Sequence, residues 1–231
     1  MTHNPLLFDY TFSFENGRIL HFPILLDPVD LRLLNVELEI EAEWARLENH
    51  QCSNCTLTAK THPQCPIAKN LVNILSEFKD VFSYEQVEVI VKANERTYSK
   101  ICGVQKGLGA MLGIFMVSSG CPIMSKLKPM VRFHLPFANV QETISRSVGS
   151  YLLSQYFNHK AGKKADWNLD GLKQSYKEIQ TVNYAMANRL RSISAKDANV
   201  NALIILDIFA KEIPETIDSS LNQLKYLYQE D

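Results

Sequence analysis

The sequence predicts an α+β protein with a strand-rich N-terminal half and a helical C-terminal half, on three observations. Two pairs of alternating apolar runs, each joined by a turn signal, fall before residue 103. From residue 140 onward apolar residues recur at three- and four-residue spacing, the period of a helix buried on one face. No internal repeat is long enough to suggest a solenoid. The expected division is a β-rich region with a Cys/His loop at 1–103 and a mainly helical region at 104–231, or one integrated domain joining both.

Each element follows from its own residues. "LLFDYTFSF" and "RILHFPILL" flank Glu15-Asn16-Gly17, which predicts a hairpin closed by a type I′ turn, since Asn and Gly accept positive φ. "DPVDLRLL" predicts a short helix with Asp27 as cap and Pro28 in its first turn. Val36, Leu38 and Ile40 alternate with Glu37, Glu39 and Glu41, predicting a third strand. Ile67, Leu71, Ile74 and Phe78 predict a helix beginning at Pro66. Val87, Val89 and Val91, with the return "RTYSKIC", predict a second hairpin.

A helix is expected from Val104 to Ser118, followed by an irregular stretch to about 139 that holds three of the nine prolines. Four more helices are expected at about 140–159, 168–193, 197–212 and 216–229. In the second of these, Leu172, Tyr176, Ile179, Met186, Leu190 and Ile193 form one stripe. The third, "NALIILDIFA", is apolar nearly all round and is expected to be central; Pro214 or a Thr216 cap would start the fourth.

Lys and Arg total 24 against 25 for Asp and Glu, so no broad basic field exists to attract nucleic acid or an anionic membrane, and neither is an expected partner. The N-terminus lacks a basic-then-apolar leader, and no run approaches the roughly 18 apolar residues of a membrane span. The expected location is the cytoplasm, where clustered cysteines point to metal or redox chemistry rather than disulfides.

"CSNCTLTAKTHPQC", residues 52–65, holds three of the five cysteines. Cys52, Cys55, His62 and Cys65 make a C-x2-C-x6-H-x2-C pattern, which suits tetrahedral zinc. A segment so poor in aliphatic residues is expected to need such a staple. Cys121, in a second Cys-Pro-Ile, is the alternative fourth ligand and would make an all-thiolate site for zinc or an iron–sulfur cluster. His50 is a further candidate, and Cys102 reads as a small buried hydrophobe.

Other candidates carry less specific signals. "GLGAMLG" at 107–113 departs from nucleotide-loop spacing, so Gly109 and Gly113 are expected to form a close helix-packing face. Arg132 and His134 fall on one side of an extended segment and, with Cys121, are candidates to line a pocket. Asp207, inside the most apolar helix, needs a partner, for which Arg189 or Arg132 is expected. Asp197 reads as a helix cap.

Cys52 to Cys55, "CPIAKNL", "ERTYSK", "SGCPIM", "RFHLPFA" and "DANVNAL" together resemble a family of uncharacterised bacterial proteins of similar length, a domain of unknown function. The resemblance implies a bacterial protein and raises Cys121 as a ligand; it implies no activity. The expected function is therefore a zinc protein with a structural or sensory Cys/His site, its helical half serving as a homodimer or partner surface. An iron–sulfur redox or sensor protein on Cys52, Cys55, Cys65 and Cys121 is the alternative. A metal-dependent enzyme using Arg132, His134 or Asp207 is the third reading.

Overall fold

The computed structural model describes residues 4–35, 42–193 and 196–227 and is α+β. Strands β1 (Leu6–Phe14), β2 (Ile19–Leu26), β3 (Gln86–Ala93) and β4 (Thr97–Gly103) form one antiparallel sheet in the order β2-β1-β3-β4. Alternation along the strands puts Phe8, Tyr10, Phe12 and Phe14 with Val87, Val89 and Val91 on one buried face. The helices cover that face, and Phe78 packs its ring 5.2 Å from Phe12 and 5.6 Å from Phe22.

Both hairpins form, but the first turn is not type I′. Gly17 alone takes positive φ, at 86°, while Asn16 uses its Oδ1 to accept the Arg18 N–H at 2.9 Å. Gly17 N–H donates to Phe14 O and Phe14 N–H to Arg18 O, the pattern of a three-residue loop ending on a left-handed glycine. "DPVDLRLL" is likewise a turn and not a helix. Asp27 Oδ1 does accept from Val29 and Asp30 N–H, but Leu31 then turns left-handed and Leu33 bridges back to Leu26. The strand expected at 36–41 lies outside the described residues.

Six α-helices are present among the described residues: α1 (Pro66–Glu77), α2 (Val104–Val117), α3 (Lys128–Arg132), α4 (Val140–Lys160), α5 (Asp170–Arg191) and α6 (Ala198–Leu224). A reciprocal capping box sets the start of α4: Glu142 N–H donates to Asn139 Oδ1 at 2.9 Å, and Asn139 N–H to Glu142 Oε2 at 2.8 Å. Helix α6 packs against both α5 and α2. At the α2 crossing a Cβ on Gly109 would lie 3.1 Å from Ala202 O, so a larger residue would push the α6 backbone outward by a few tenths of an ångström.

The two C-terminal helices expected from Pro214 are one. Proline removes the N–H that would bond the carbonyl four residues back. Gln180 Nε2 on α5 donates to that carbonyl, Ala210 O, at 3.0 Å, so α6 runs through the proline without an orphaned acceptor. Asp197 sits before α6 but caps nothing in it. Its carboxylate accepts from Ser83 N–H and Oγ and from Asn201 Nδ2, tying α6 to the loop before β3.

One contiguous apolar core draws on residues from Phe8 to Ile217. Among the described residues no helix is long and apolar enough to cross a membrane.

Candidate functional site

Two polar features interrupt this apolar interior: a group of thiols around Arg189, and a cavity between the helices.

Arg189 is 1 % exposed and lies on the buried stripe of α5, three residues after Met186. Its guanidinium donates to Trp44 O at 2.8 Å, Arg46 O at 2.6 Å and Leu47 O at 2.8 Å. Those bonds hold the segment that Arg46 and Gln64 close by a β-bridge, and Cys65 N–H donates to Ala45 O beside them. Asn54 Nδ2 reaches Glu178 O on α5, and Lys126 pairs with the carboxylate of the same Glu178. The Cys52–Cys55 turn and the segment after Cys121 are thereby drawn to one stretch of α5. Cys52, Cys55, Cys65 and Cys121 are all free thiols, and Cys65 is the buried one of the four.

The expectation of a metal site is overturned. Among the described residues, no group of three or more His, Cys, Asp or Glu side chains could hold a metal ion. His62 is exposed and its Nδ1 bonds Thr61 Oγ1 at 3.0 Å, in a turn closed by Thr58 and Thr61. Burial, and then the nearness of Cys65, Cys121 and Cys55, pushes the Cys52 thiol up to about 12, and burial raises Cys121 too. The buried Arg189 guanidinium next to the thiols sets like charge beside any cation that entered there. The zinc protein, the iron–sulfur protein and the metal-dependent enzyme fall together. The staple that residues 52–65 were expected to need is supplied by Arg189, Asn54 and backbone pairing.

Arg132 and His134 do not share a side. Arg132 ends α3 and is exposed over the Phe133 ring, whereas His134 turns inward, edge-on to Phe8 at 5.1 Å. The extended backbone expected there is absent: α3 ends at Arg132, and in the turn that follows His134 N–H donates to Val131 O. Asp207 pairs with Lys211, one turn on in α6 at 2.7 Å, and not with Arg189 or Arg132. The helix is less uniformly buried than its composition suggests: Ile204 and Ile208 are exposed and Asp207 is half-exposed.

A cavity of about 390 Å³ lies between α2, α5, α6, the start of α4 and residues 124–138. Along α2 it runs from Lys106 to Val117, about 16 Å at the 1.5 Å rise of a helix. Lys106, Gly109, Ala110, Gly113 and Val117 form its α2 wall. Polar groups in the lining are Lys106, His134, Thr143, Arg146, Tyr176 and Asn183, with no carboxylate among the described residues. Cys121, Arg132 and Asp207 do not line it.

Three of these polar groups are tied down. His134 Nε2 hydrogen-bonds the Tyr10 hydroxyl at 2.6 Å, and burial, then Arg146, drives its pKa down to about 3, so the ring is neutral. The Tyr176 hydroxyl pairs with Ser147 Oγ at 2.8 Å. Arg146 Nη2 donates to Met130 O at 2.8 Å and Phe133 O at 2.6 Å, which fixes the guanidinium at the wall. Its charge is closed by no ion pair among the described residues, and Glu142 acts on it at longer range. Asn183 is 2 % exposed, and its Oδ1 has no hydrogen-bond partner.

Sequence reasoning singled out His134 but missed Lys106, Arg146 and Asn183. Asn183 leaves one trace: it stands four residues after Ile179, inside the apolar stripe of α5. Arg146 leaves none, since an arginine on a helix reads as solvated until the neighbouring carbonyls are placed. Among known proteins, a family model described as a domain of unknown function (DUF6901) matches residues 8–229. No curated protein and no solved structure matches the chain significantly.

Proposed function

The chain belongs to this DUF6901 family, whose description carries no activity, and we propose from its geometry that the protein binds an elongated apolar molecule with an anionic end. One observation carries the reading: an apolar cavity about 16 Å long whose lining, among the described residues, holds two cations and no carboxylate. The volume of about 390 Å³ falls in the roughly 300–1,000 Å³ range of small-molecule sites. Arg146 supplies a desolvated guanidinium without a carboxylate, which favours an anion there. Asn183 Oδ1 supplies a buried acceptor whose lack of a partner costs about 1–3 kcal/mol, a penalty that a ligand donor would offset. With its ring neutral and bonded to Tyr10, His134 serves the wall, so binding is favoured over acid–base catalysis. The reducing cytoplasm suits the five free thiols.

Calorimetric titration with dodecanoate and with dodecanol tests this. Dodecanoate is expected to bind about tenfold or more tightly than dodecanol. Arg146→Gln should erase that preference, and Ala110→Leu, which fills the cavity from α2, should abolish both bindings. Failure of both probes to bind, or binding that survives Ala110→Leu, would overturn the proposal.

A further inference from the structure

Helix α4 buries Ile144, Ser147, Val148 and Gln155 and turns its opposite face to solvent. At about 100° per residue, Glu142, Ser145, Gly149, Leu153, Tyr156 and Lys160 share a sector of that face about 80° wide, and all six are exposed. Leu153 is 53 % exposed, and Phe157, at the edge of the sector, is 61 %. Trp167, also exposed, extends the apolar area beyond the helix end, where it meets His159 edge-on at 6.3 Å. An apolar stripe of this kind on a helix is normally covered.

Gly149 is the second observation. It lies mid-helix, where glycine costs about 0.5–1 kcal/mol relative to alanine. Among the described residues no other element or side chain comes within 4 Å of where its Cβ would be. The missing side chain leaves room on this exposed face for a group from another molecule.

The third observation is a symmetry in the face itself. Lay a second α4 antiparallel to the first about a two-fold axis at Tyr151. Glu142 then faces Lys160 of the second copy, Ser145 faces Phe157, and Gly149 faces Leu153. Three of the pairings are complementary, acid with base and twice small with large, and a fourth sets Tyr156 opposite Arg146. The antiparallel arrangement also sets each helix N-terminus beside the other's C-terminus, which is favourable for their dipoles.

We infer that the α4 face is a docking site for a second copy of this chain, forming a two-fold homodimer. Leu153 of each copy enters the gap above Gly149 of the other, and two Glu142–Lys160 pairs flank this centre and fix the antiparallel register. The apolar centre supplies the affinity; the exposed charge pairs supply direction. The cavity meets α4 only at its start, through Thr143 and Arg146, whereas Gly149 and Leu153, the centre of the face, do not line it.

Sedimentation velocity of the full chain across the micromolar range tests it, with circular dichroism melting as the check on folding. The mass is expected to rise with concentration from 26.3 kDa toward twice that value. Gly149→Leu has open space in the monomer, so it should melt no lower than the parent yet sediment as a monomer throughout. Lys160→Glu should weaken association about tenfold, and Leu153→Ala, which empties the apolar centre, should weaken it by at least as much. The inference is overturned if the parent protein stays monomeric, which would leave the face to a different partner. A dimer unchanged by Gly149→Leu, or unchanged by Leu153→Ala in a folded protein, would overturn it too.

Discussion

Lowering the pH from about 7 to about 5 is expected to cost the fold about 2 kcal/mol through His134 alone. The ring is packed edge-on to Phe8, and its Nε2 is held by Tyr10 at 2.6 Å. Burial first, and Arg146 second, take its pKa from 6.5 down to about 3. In the unfolded chain the imidazole titrates near 6.5, so on acidification the unfolded state takes up the proton before the folded one. The folded pKa is the lower of the two. The contribution is therefore complete above the unfolded value and is lost as pH falls toward the folded one. At about 1.36 kcal/mol per pH unit, integration of the proton uptake from about pH 7 to 5 gives the figure of about 2 kcal/mol.

Urea unfolding of the parent and of His134→Gln at both pH values isolates the effect, because the other histidines titrate in both proteins and cancel. Asp166 and Asp197, whose carboxyls are held below the usual 3.8 mainly by backbone hydrogen bonds, do not interfere, since their contributions vanish only at lower pH. The parent should lose about 2 kcal/mol more than the variant between the two conditions. Equal losses would mean that His134 is protonated in the folded protein, and the account of the cavity wall would fail with it.

Arg189→Met should destabilise the protein by on the order of 3–5 kcal/mol, because it leaves the carbonyls of Trp44, Arg46 and Leu47 without their donor, and should expose residues 42–65 to proteolysis. Urea midpoints and mapping of the first cleavage site measure both effects. Gln180→Leu should cost about 1–3 kcal/mol by orphaning Ala210 O. In a Pro214→Ala background, where a backbone N–H returns to that carbonyl, a double-mutant cycle should find most of the cost gone. Cys52, raised to about 12, should react with iodoacetamide about tenfold or more slowly in the native protein than in urea at mildly alkaline pH. Equal rates would contradict its burial.

Much of the fold was legible because it depends on periods and turns that neighbouring residues set. The two-residue alternation of Tyr10, Phe12 and Phe14 and of Val87, Val89 and Val91 reads directly as strands with one buried face. The stripe from Leu172 to Leu190 reads as a helix for the same reason. Local signals failed where a distant group intervened. Pro214 is a helix breaker by its own chemistry, and Gln180 reverses that outcome from another helix. Asp27 makes the hydrogen bonds of a cap, but Leu31 and the bridge to Leu33 turn the chain back before a helix can extend.

The site was less legible than the fold. Three cysteines within fourteen residues announce a thiol cluster, but whether thiols become ligands depends on convergence and on the charge between them. Both were decided by α5, more than 120 residues away, which inserts the Arg189 guanidinium among the thiols and supplies the staple assigned to a metal. The cavity is more remote still from anything a single segment encodes, since it is the space left between α2, α5, α6 and residues 124–138. Composition, strand and helix periods, and the absence of a broad basic field can be read from the chain alone, because each is a property of residues close in sequence. The partners of Arg189, the unpaired charge of Arg146 and the shape of the cavity belong to packing, because each is made by groups that meet only once the chain has folded.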